Sequence, residues 1–461
     1  MREQVFFFDG CPGIVDPGLT LSSRAPMDVI VFSIPFFFLL MGAELAYAAR
    51  TRRRLFRLND SISDLSCGVL SQVSGVFSKL LAVGIYAWVW RHLSVQRWLA
   101  VPAWADAAPF ARGDAFPWLA VDGRALAAGV TAFVLIDLAY YCSHRSSHGV
   151  NLLWAGHVVH HSSEEYNLAV ALRQSSLHGL FTWVFYLPLA LIGIPPETFA
   201  VCYALNLVYQ FWIHTQAVGR LGRLTELVMN TPSHHRVHHG RNPRYLDRNH
   251  AGVLIVWDRL FGTFEPEVEA PVYGITTPLR SWNPLWANVH GFVEVFRGVR
   301  RARSRRDAWM FAFGPPGWRP AAEGGPVAPP QVTAATAERF DPPVPAGLAA
   351  YGFAQFAAAL AGSFALLLNV GVLPPAQLAA AGFYVAVSLA GVGGVFEVAK
   401  WAGPIETARL GVLGAACGVL AWGGAIPAGI GVAGMAFCAA SLAWFLPRRG
   451  ALTETELAPI M

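Results

Sequence analysis

The sequence predicts an all-α protein, a polytopic bundle of membrane helices with a histidine-rich region gathered on one face. Two observations predict the bundle and a third the region. Apolar residues make up 54% of the 461-residue chain and charged ones 14%, against roughly 25% charged in ordinary soluble domains. The apolar excess falls in runs that match the roughly 20 helical residues needed to cross a hydrocarbon layer. Twelve of the fourteen histidines lie between His144 and His250.

Taken in order, residues 1–26 form an N-terminal segment, and residues 1–10 lack the basic stretch and apolar core of a cleaved signal peptide. Residues 29–49 are a first span whose only charge is Glu44. A second, 65–90, carries Lys79 near its middle, which predicts a tilt or a polar cavity beside it. A third, 125–142, is free of charge until Asp137. Residues 179–194 and 197–214 form two short arms hinged at Pro195 and Pro196, where a helix must break. Such a hairpin crosses twice or dips in and returns. A last block, 348–446, reads as four Gly- and Ala-rich helices broken near Pro374 and Pro375, Pro404 and Pro427, small residues that allow close packing in a membrane. The organisation expected is therefore a histidine-bearing membrane domain over 27–277, a basic and Pro/Ala-rich cytoplasmic linker over 278–347, C-terminal transmembrane helices over 348–447 and a tail over 448–461.

The arginines orient this bundle. Arg50, Arg52, Arg53, Arg54 and Arg57 follow the first span, six more lie in 297–306, and Arg448 and Arg449 close the last block. Positive residues stay on the cytoplasmic side. One topology satisfies all three groups, and it puts the histidine clusters in the cytoplasm and residues 1–24 outside. The pI near 9.0 is then explained by anionic headgroups and not by nucleic acid. Cys11, Cys67, Cys142, Cys202, Cys417 and Cys438 show no paired spacing and imply no disulfide framework.

Eight histidines form three clusters: His144 and His148; His157, His160 and His161; His235, His238 and His239. Residues three or four apart share a helix face, so each cluster can aim its imidazoles at one point. This is metal-site geometry, and eight nitrogens suffice for two ions. Asp137, Tyr141, His144 and His148 fall on one helical stripe, which places Asp137 to accept a ring N–H from a ligand unless it meets Arg145 or Lys79 instead. Glu164 and Glu165 lie four residues after His160 and His161, within the same reach if the helix continues. Before the third cluster, Thr231 or Ser233 is a candidate helix cap, with Pro232 at a first helical position. His214 is a possible ninth ligand, and His234 is expected to point away as a structural residue. Arg173 and Gln174 are placed for a cofactor ring or a lipid headgroup, Arg173 equally for an ion pair with Glu164. Trp154, Tyr166, Trp183, Tyr186, Tyr209, Phe211 and Trp212 are interfacial anchors or walls of a lipid route.

Imidazole serves zinc, copper, iron and nickel alike. The His-Glu-x-x-His signature of zinc proteases is absent, and clustered histidines at an interface do not suit bis-histidine haem. Redox iron with positions open to oxygen is the candidate that remains.

The motif order His-x3-His, His-x2-His-His, His-x2-His-His resembles the fatty acid hydroxylase and sterol desaturase superfamily of membrane di-iron enzymes. Longer strings are more specific: Asn151-Leu-Leu-Trp-Ala-Gly-His157-Val-Val-His160-His161-Ser-Ser-Glu-Glu-Tyr-Asn167, Ala171-Leu-Arg-Gln-Ser175, Gln210-Phe-Trp-Ile-His-Thr215, Asn230-Thr-Pro-Ser-His-His-Arg-Val-His-His-Gly-Arg-Asn242 and Asn249-His-Ala-Gly-Val-Leu-Ile-Val-Trp-Asp-Arg-Leu-Phe-Gly-Thr-Phe264. They are similar to the alkylglycerol monooxygenases, densely over 137–277 and more loosely through the C-terminal helices. The resemblance implies two irons per chain, molecular oxygen, a lipid substrate and tetrahydrobiopterin-dependent hydroxylation beside the ether oxygen of a glyceryl ether. It also implies a plasma membrane location in a bacterium or the endoplasmic reticulum in a eukaryote. It leaves His178 and His250 out of the ligand set. One departure concerns the pterin: animal members carry an acid directly after the second histidine of the first motif, and here that place is Gly149. An electron-donor protein is the alternative source of electrons. A sterol, carotenoid or fatty acyl chain is the rival substrate, and a histidine-lined metal transporter the rival class, disfavoured because transport sites tend to lie at the bilayer midplane.

Overall fold

The computed structural model describes residues 25–97, 123–333 and 335–453, and among these there is no β-sheet, only helices joined by turns and two isolated bridges. The expectations for residues 1–24, including their side of the membrane, lie outside the described residues, as does the side chain of Lys79.

Helix α1 runs over Ala25–Thr51 and α2 over Leu58–Leu93. The second is bent by 45° between Ser78 and Leu81. Helix α3, Gly123–Gly149, carries the apolar stretch Leu126–Gly149 and ends in the first histidine cluster. Helix α4, Asn151–His161, turns off it after the extended residue Val150 and bears the second cluster.

The proline-hinged hairpin follows. Its first arm is broken into α5, Gly179–Thr182, a 3-10 turn and α6, Leu187–Leu191, while the second is α7, Pro196–Trp212. The break falls where the prolines require it, with Pro195 extended and Pro196 at the first helical position. The apolar stretch Gly179–Leu191 rises about 20 Å at 1.5 Å per residue, short of a hydrocarbon core of about 30 Å. The first arm is therefore too short to cross by itself. The hairpin's turn is held by α2, whose Tyr86 hydroxyl and Trp90 indole N–H donate to the carbonyls of Ile194 and Gly193 at 3.0 Å each.

Short helices α8, Arg223–Val228, α9, Pro232–His238, and α10, Val256–Leu260, lead to α11, Pro284–Arg301, and α12, Arg305–Phe313. These last two occupy the basic stretch read as linker, and α11 packs directly on α4. A Cβ at Gly291 would lie 2.8 Å from the Cα of Ala155, so this close approach depends on glycine. Only the part beyond residue 314 is mostly irregular.

The C-terminal block is four helices: α13, Ala346–Leu368, α14, Pro375–Phe396, α15, Ala402–Trp422, and α16, Ala428–Phe445. Two breaks fall at the expected prolines, whereas the break between α14 and α15 comes at Glu397 to Trp401. Pro404 sits in the first turn of α15, where its missing N–H is not required. Among the described residues five helices are long and apolar enough to cross a membrane, or six with the bent α2. The protein is an integral multi-pass membrane protein. The C-terminal helices are not separate from the rest: Ile62, Leu70 and Val73 of α2 share one buried cluster with Phe356, Leu389 and Phe396. Glu397 accepts from Ser281 Oγ and the Trp282 amide at 2.6 Å, and from the Asn283 amide at 3.0 Å, anchoring the start of α11.

Candidate metal centre

The last two turns of α3, all of α4 beyond its midpoint, the second residue beyond α7 and the short α9 meet at one point. Helices α3, α4 and α7 are mostly apolar up to their ends, so packing buries their backbone and delivers the imidazoles at the tips. Nine of them converge there in two sets, His144, His148, His157, His161 and His238 in one and His160, His214, His235 and His239 in the other, all buried, with ligand atoms within 4.8 Å of one another in each.

Neither set corresponds to a sequence cluster. On α4, His157 and His161 are one turn apart and face the first set, while His160 is rotated to the second. On α9 the split is reversed: His235 and His239 share a face toward the second set and His238 faces the first. The His-x2-His-His spacing is thus a device for serving two sites from one helix, because i and i+4 point together and i+3 deviates from both. His214 joins as the ninth.

Ring orientation is set by backbone carbonyls. Nδ1 of His144 donates to His250 O at 2.8 Å, His160 to Arg173 O at 3.1 Å, His214 to Gln210 O at 2.7 Å and His238 to Arg248 O at 2.9 Å. A carbonyl only accepts, so each Nδ1 carries the proton and each Nε2 of a neutral ring is a bare lone pair. Burial keeps these rings neutral: it pushes His160 down to about 4 and holds His214, His235 and His239 well below the ordinary histidine value. The Nε2 atoms of His160 and His214 nevertheless lie 3.2 Å apart. Two lone pairs at that distance with no proton between them repel, and a cation between them turns the repulsion into two bonds. The buried Nε2 atoms of His148, His238 and His239 have no hydrogen-bond partner in the protein, each at a cost of about 1–3 kcal/mol if left so. The donor set therefore fits a metal, and its all-nitrogen character fits a borderline transition metal such as iron, not magnesium or calcium.

The comparisons agree. The fatty acid hydroxylase family model matches residues 129–263, the segment that contains every ring of both sets. Alkylglycerol monooxygenase of Xenopus tropicalis is 36% identical over 384 residues, covering 83% of this chain and 80% of its own. The chain belongs to the alkylglycerol monooxygenase family. The human member is 40% identical over 294 residues, 64% of this chain and 60% of its own, and the Danio rerio member 36% over 380 residues, 81% and 79%. No solved structure matches.

Within this member of the alkylglycerol monooxygenase family, the expected carboxylates are placed differently. Asp137 touches no imidazole. Its Oδ1 accepts from the Val253 amide at 2.8 Å and Asn206 Nδ2 at 2.7 Å, and its Oδ2 from the Leu254 amide at 3.0 Å and Trp257 Nε1 at 2.9 Å. Arg145, its suggested partner, donates to the Tyr141 hydroxyl, which also meets Thr263. Tyr141 therefore lies beside the site without touching a ring nitrogen. Glu164 and Glu165 fail to reach the rings because α4 stops at His161. They pair instead with Arg57, at 3.1 and 2.7 Å, and Glu165 also with Arg339 at 3.0 Å.

Arg173 is buried, so its guanidinium is closed to a cofactor or headgroup. It donates to Val159 O at 2.6 Å and to Ser63 and Asp64 at 3.0 Å each, so its ion pair is with Asp64 and not Glu164, and only its carbonyl serves the site. Gln174 donates to Ala171 O and is exposed. His234 is structural as expected, paired to Glu226 at 2.8 Å. His178 bonds Ser147, and neither it nor His250 belongs to either set. Thr231 occupies the cap position of α9, but its hydroxyl is spent on Glu226. Of the aromatics, Trp154 lies on His148 and His161 with ring centroids 5.1 and 5.6 Å away, and Tyr166 on His239 at 5.2 Å. Tyr186 is in a core with Tyr86, Phe211 stacks on Phe37, and Tyr209 bonds Asn230 O.

Sequence reasoning missed the segment 247–251, which supplies the carbonyls of Arg248 and His250 and, from Asp247, a carboxylate oxygen 3.4 Å from His148 Nδ1. The sequence offers only the residue types Asp247 and Asn249, which among residues with a side chain best tolerate the positive φ of 56° and 55° they adopt.

Proposed function

We propose that this chain is a di-iron monooxygenase that hydroxylates the carbon next to the ether oxygen of a glyceryl ether, with its catalytic face toward the cytoplasm. The observation that carries the metal is the convergence of nine buried imidazoles in two sets, four of them with Nε2 left proton-free by a carbonyl on Nδ1. The substrate class is supported by the relatives named above. One atom of dioxygen enters the C–H bond and the other leaves as water, with two electrons and two protons from tetrahydrobiopterin, or two electrons from an electron-donor protein and two protons from water. The product is a hemiacetal, which separates into an aldehyde and glycerol.

His144, His148, His157, His161 and His238 would hold one iron, and His160, His214, His235 and His239 the other. Irons held there would supply the dioxygen activation that an unactivated C–H bond demands and that side chains lack. The carbonyls of Arg173, Gln210, Arg248 and His250 keep the Nε2 atoms bare and aimed. Trp154 and Tyr166 cover the rings and exclude water from them.

Purified full-length protein supplied with ferrous iron, dioxygen, a 1-O-alkylglycerol and either tetrahydropterin or a reducing protein mixture tests the reading. Aldehyde release is expected. Hydroxylation of a sterol, carotenoid or fatty acyl chain without ether cleavage would transfer the site to another substrate, and no oxidation of any lipid would overturn it. The orientation is tested by Ser304→Cys in a background free of native cysteines: labelling by an impermeant reagent on intact cells would place this face outside.

A further inference from the structure

The two histidine sets differ in what supports them. Three of the five rings in the first set lean on a single loop: His238 on Arg248 O, His144 on His250 O and His148 on the Asp247 carboxylate. The second set has no partner in that loop; His160 and His214 use the carbonyls of Arg173 and Gln210.

That loop is gripped from beneath by two buried carboxylates that touch no histidine ring. Asp258 takes the His250 amide on Oδ1 and the Ala251 amide on Oδ2, at 2.8 Å each, with Thr263 Oγ1 at 2.6 Å completing Oδ1. Asp137 takes the next pair of amides, Val253 and Leu254. Between the two grips lies Gly252, where a Cβ would come within 2.9 Å of Asp137 Oδ1, Asn206 Oδ1 and a Tyr140 ring carbon. Carboxylates accept from four amides within five residues only if that backbone lies against them, so the carbonyls on its other side are fixed in direction.

We propose that Asp258 is a positioning residue for one metal of the two: with Asp137 it locks the 247–254 loop, and through it the rings of His144, His148 and His238, leaving untouched the four-histidine set, whose rings bond nothing in that loop. Asp137, by contrast, also reaches that set through Asn206, Gln210 and His214. The inference rests on the two-metal reading. It replaces the direct carboxylate–histidine contact common at metal sites with an indirect one, in which the carboxylate orients a carbonyl and the carbonyl orients the ring.

The test is ferrous iron binding by the full-length protein in detergent under anaerobic conditions, measured by elemental analysis and by chelator competition. The wild type is expected to retain two irons per chain. Asp258→Asn turns one accepting oxygen into an N–H donor facing an amide, and it should retain one iron tightly, with affinity at the other site lowered about 10- to 100-fold, the usual effect of losing an outer partner. Asp258→Glu should recover part of the loss. Thr263→Val removes the hydroxyl that completes Asp258 Oδ1 without altering either carboxylate, should weaken the same site, and serves if the Asn variant fails to fold. Loss of both irons in parallel from a folded variant, or retention of both with unchanged affinity, overturns the inference. A wild type that binds a single iron overturns the two-metal reading itself and this inference with it, and the wild-type count alone separates that result from the others.

Discussion

The histidine region and the C-terminal bundle both bury polar side chains among apolar helices, and they treat them in opposite ways. In the C-terminal bundle, Glu406 and Arg409 are bonded at 2.9 and 2.7 Å, Tyr351 donates to Glu406 at 2.6 Å, and the remaining guanidinium hydrogens go to Tyr384 and Gln355 at 2.9 and 2.8 Å. Gln355 passes its own donor to Ser441. That network closes on itself and binds α13, α14, α15 and α16 together. In the histidine region the hydrogen bonds stop one atom short: every Nδ1 given to a carbonyl leaves an Nε2 aimed at its neighbours with nothing to share. A closed network specifies packing, and an open one of uniform lone pairs awaits a cation.

The largest effect should come from opening the histidine sets further. His160→Ala and His238→Ala each remove a ring from a different set, and both should reduce lipid oxidation to background and lower the iron content while membrane insertion persists. A metal-poor variant with full turnover would remove the distinction between the two regions.

Breaking the closed network should give the converse. Arg409→Ala leaves the buried Glu406 unpaired, which costs about 3–5 kcal/mol for a buried pair, visible as a lower thermal midpoint in detergent with iron content unchanged. Replacing both residues together by apolar ones of similar volume should recover most of this. Iron loss from either variant would show that the bundle is part of the metal site.

A smaller effect is expected at the rim of the open region. No atom lies within 4 Å of a Cβ built on Gly149, so Gly149→Glu is accommodated without repacking. If a carboxylate there accepts from pterin N–H groups, at about 1.5–3 kcal/mol for a charged acceptor, the tetrahydropterin concentration for half-maximal rate should fall about tenfold or more, with that for the ether lipid unchanged. Full turnover of the wild type with no pterin, sustained by a ferredoxin or flavoprotein, would assign the electrons to a protein donor.

The smallest effect concerns protons. Burial lowers His160 to about 4, below the roughly 6.5 of an unfolded histidine. The unfolded chain therefore binds more protons between these values, and the stability contributed by this ring is present above about 6.5 and lost as pH falls toward 4. Thermal midpoints of chelator-treated protein between pH 7.5 and 5 should fall with pH, and His160→Ala should flatten the slope. An unchanged slope would show that the ring is not buried as described.

Spacing alone revealed the two histidine-rich helices, because three- and four-residue intervals have a fixed meaning on an α-helix. It did not reveal which ring serves which set, since that depends on how α4 and α9 are rotated against α3 and α7. Glu164 and Glu165 were misread for a local reason, the end of α4 at His161, and Asp137 for a distant one, the loop 116 residues later that takes up its oxygens. The Glu406–Arg409 pair was passed over because an acid and a base three apart are common on any helix, and only the surrounding helices bury them.

What the sequence by itself determined was the medium, the positions of most of the long apolar helices and the chemistry at their ends. Hydrophobic burial and helical periodicity are properties of consecutive residues and can be read from them. The tertiary structure decided the partition of nine imidazoles into sets of five and four and the tautomers that leave their nitrogens bare. The partition follows from how separate helices are rotated against one another, and the tautomers from carbonyls between 4 and 106 residues away; a hydrogen bond to a backbone carbonyl carries no trace in the identity of the residue that supplies it.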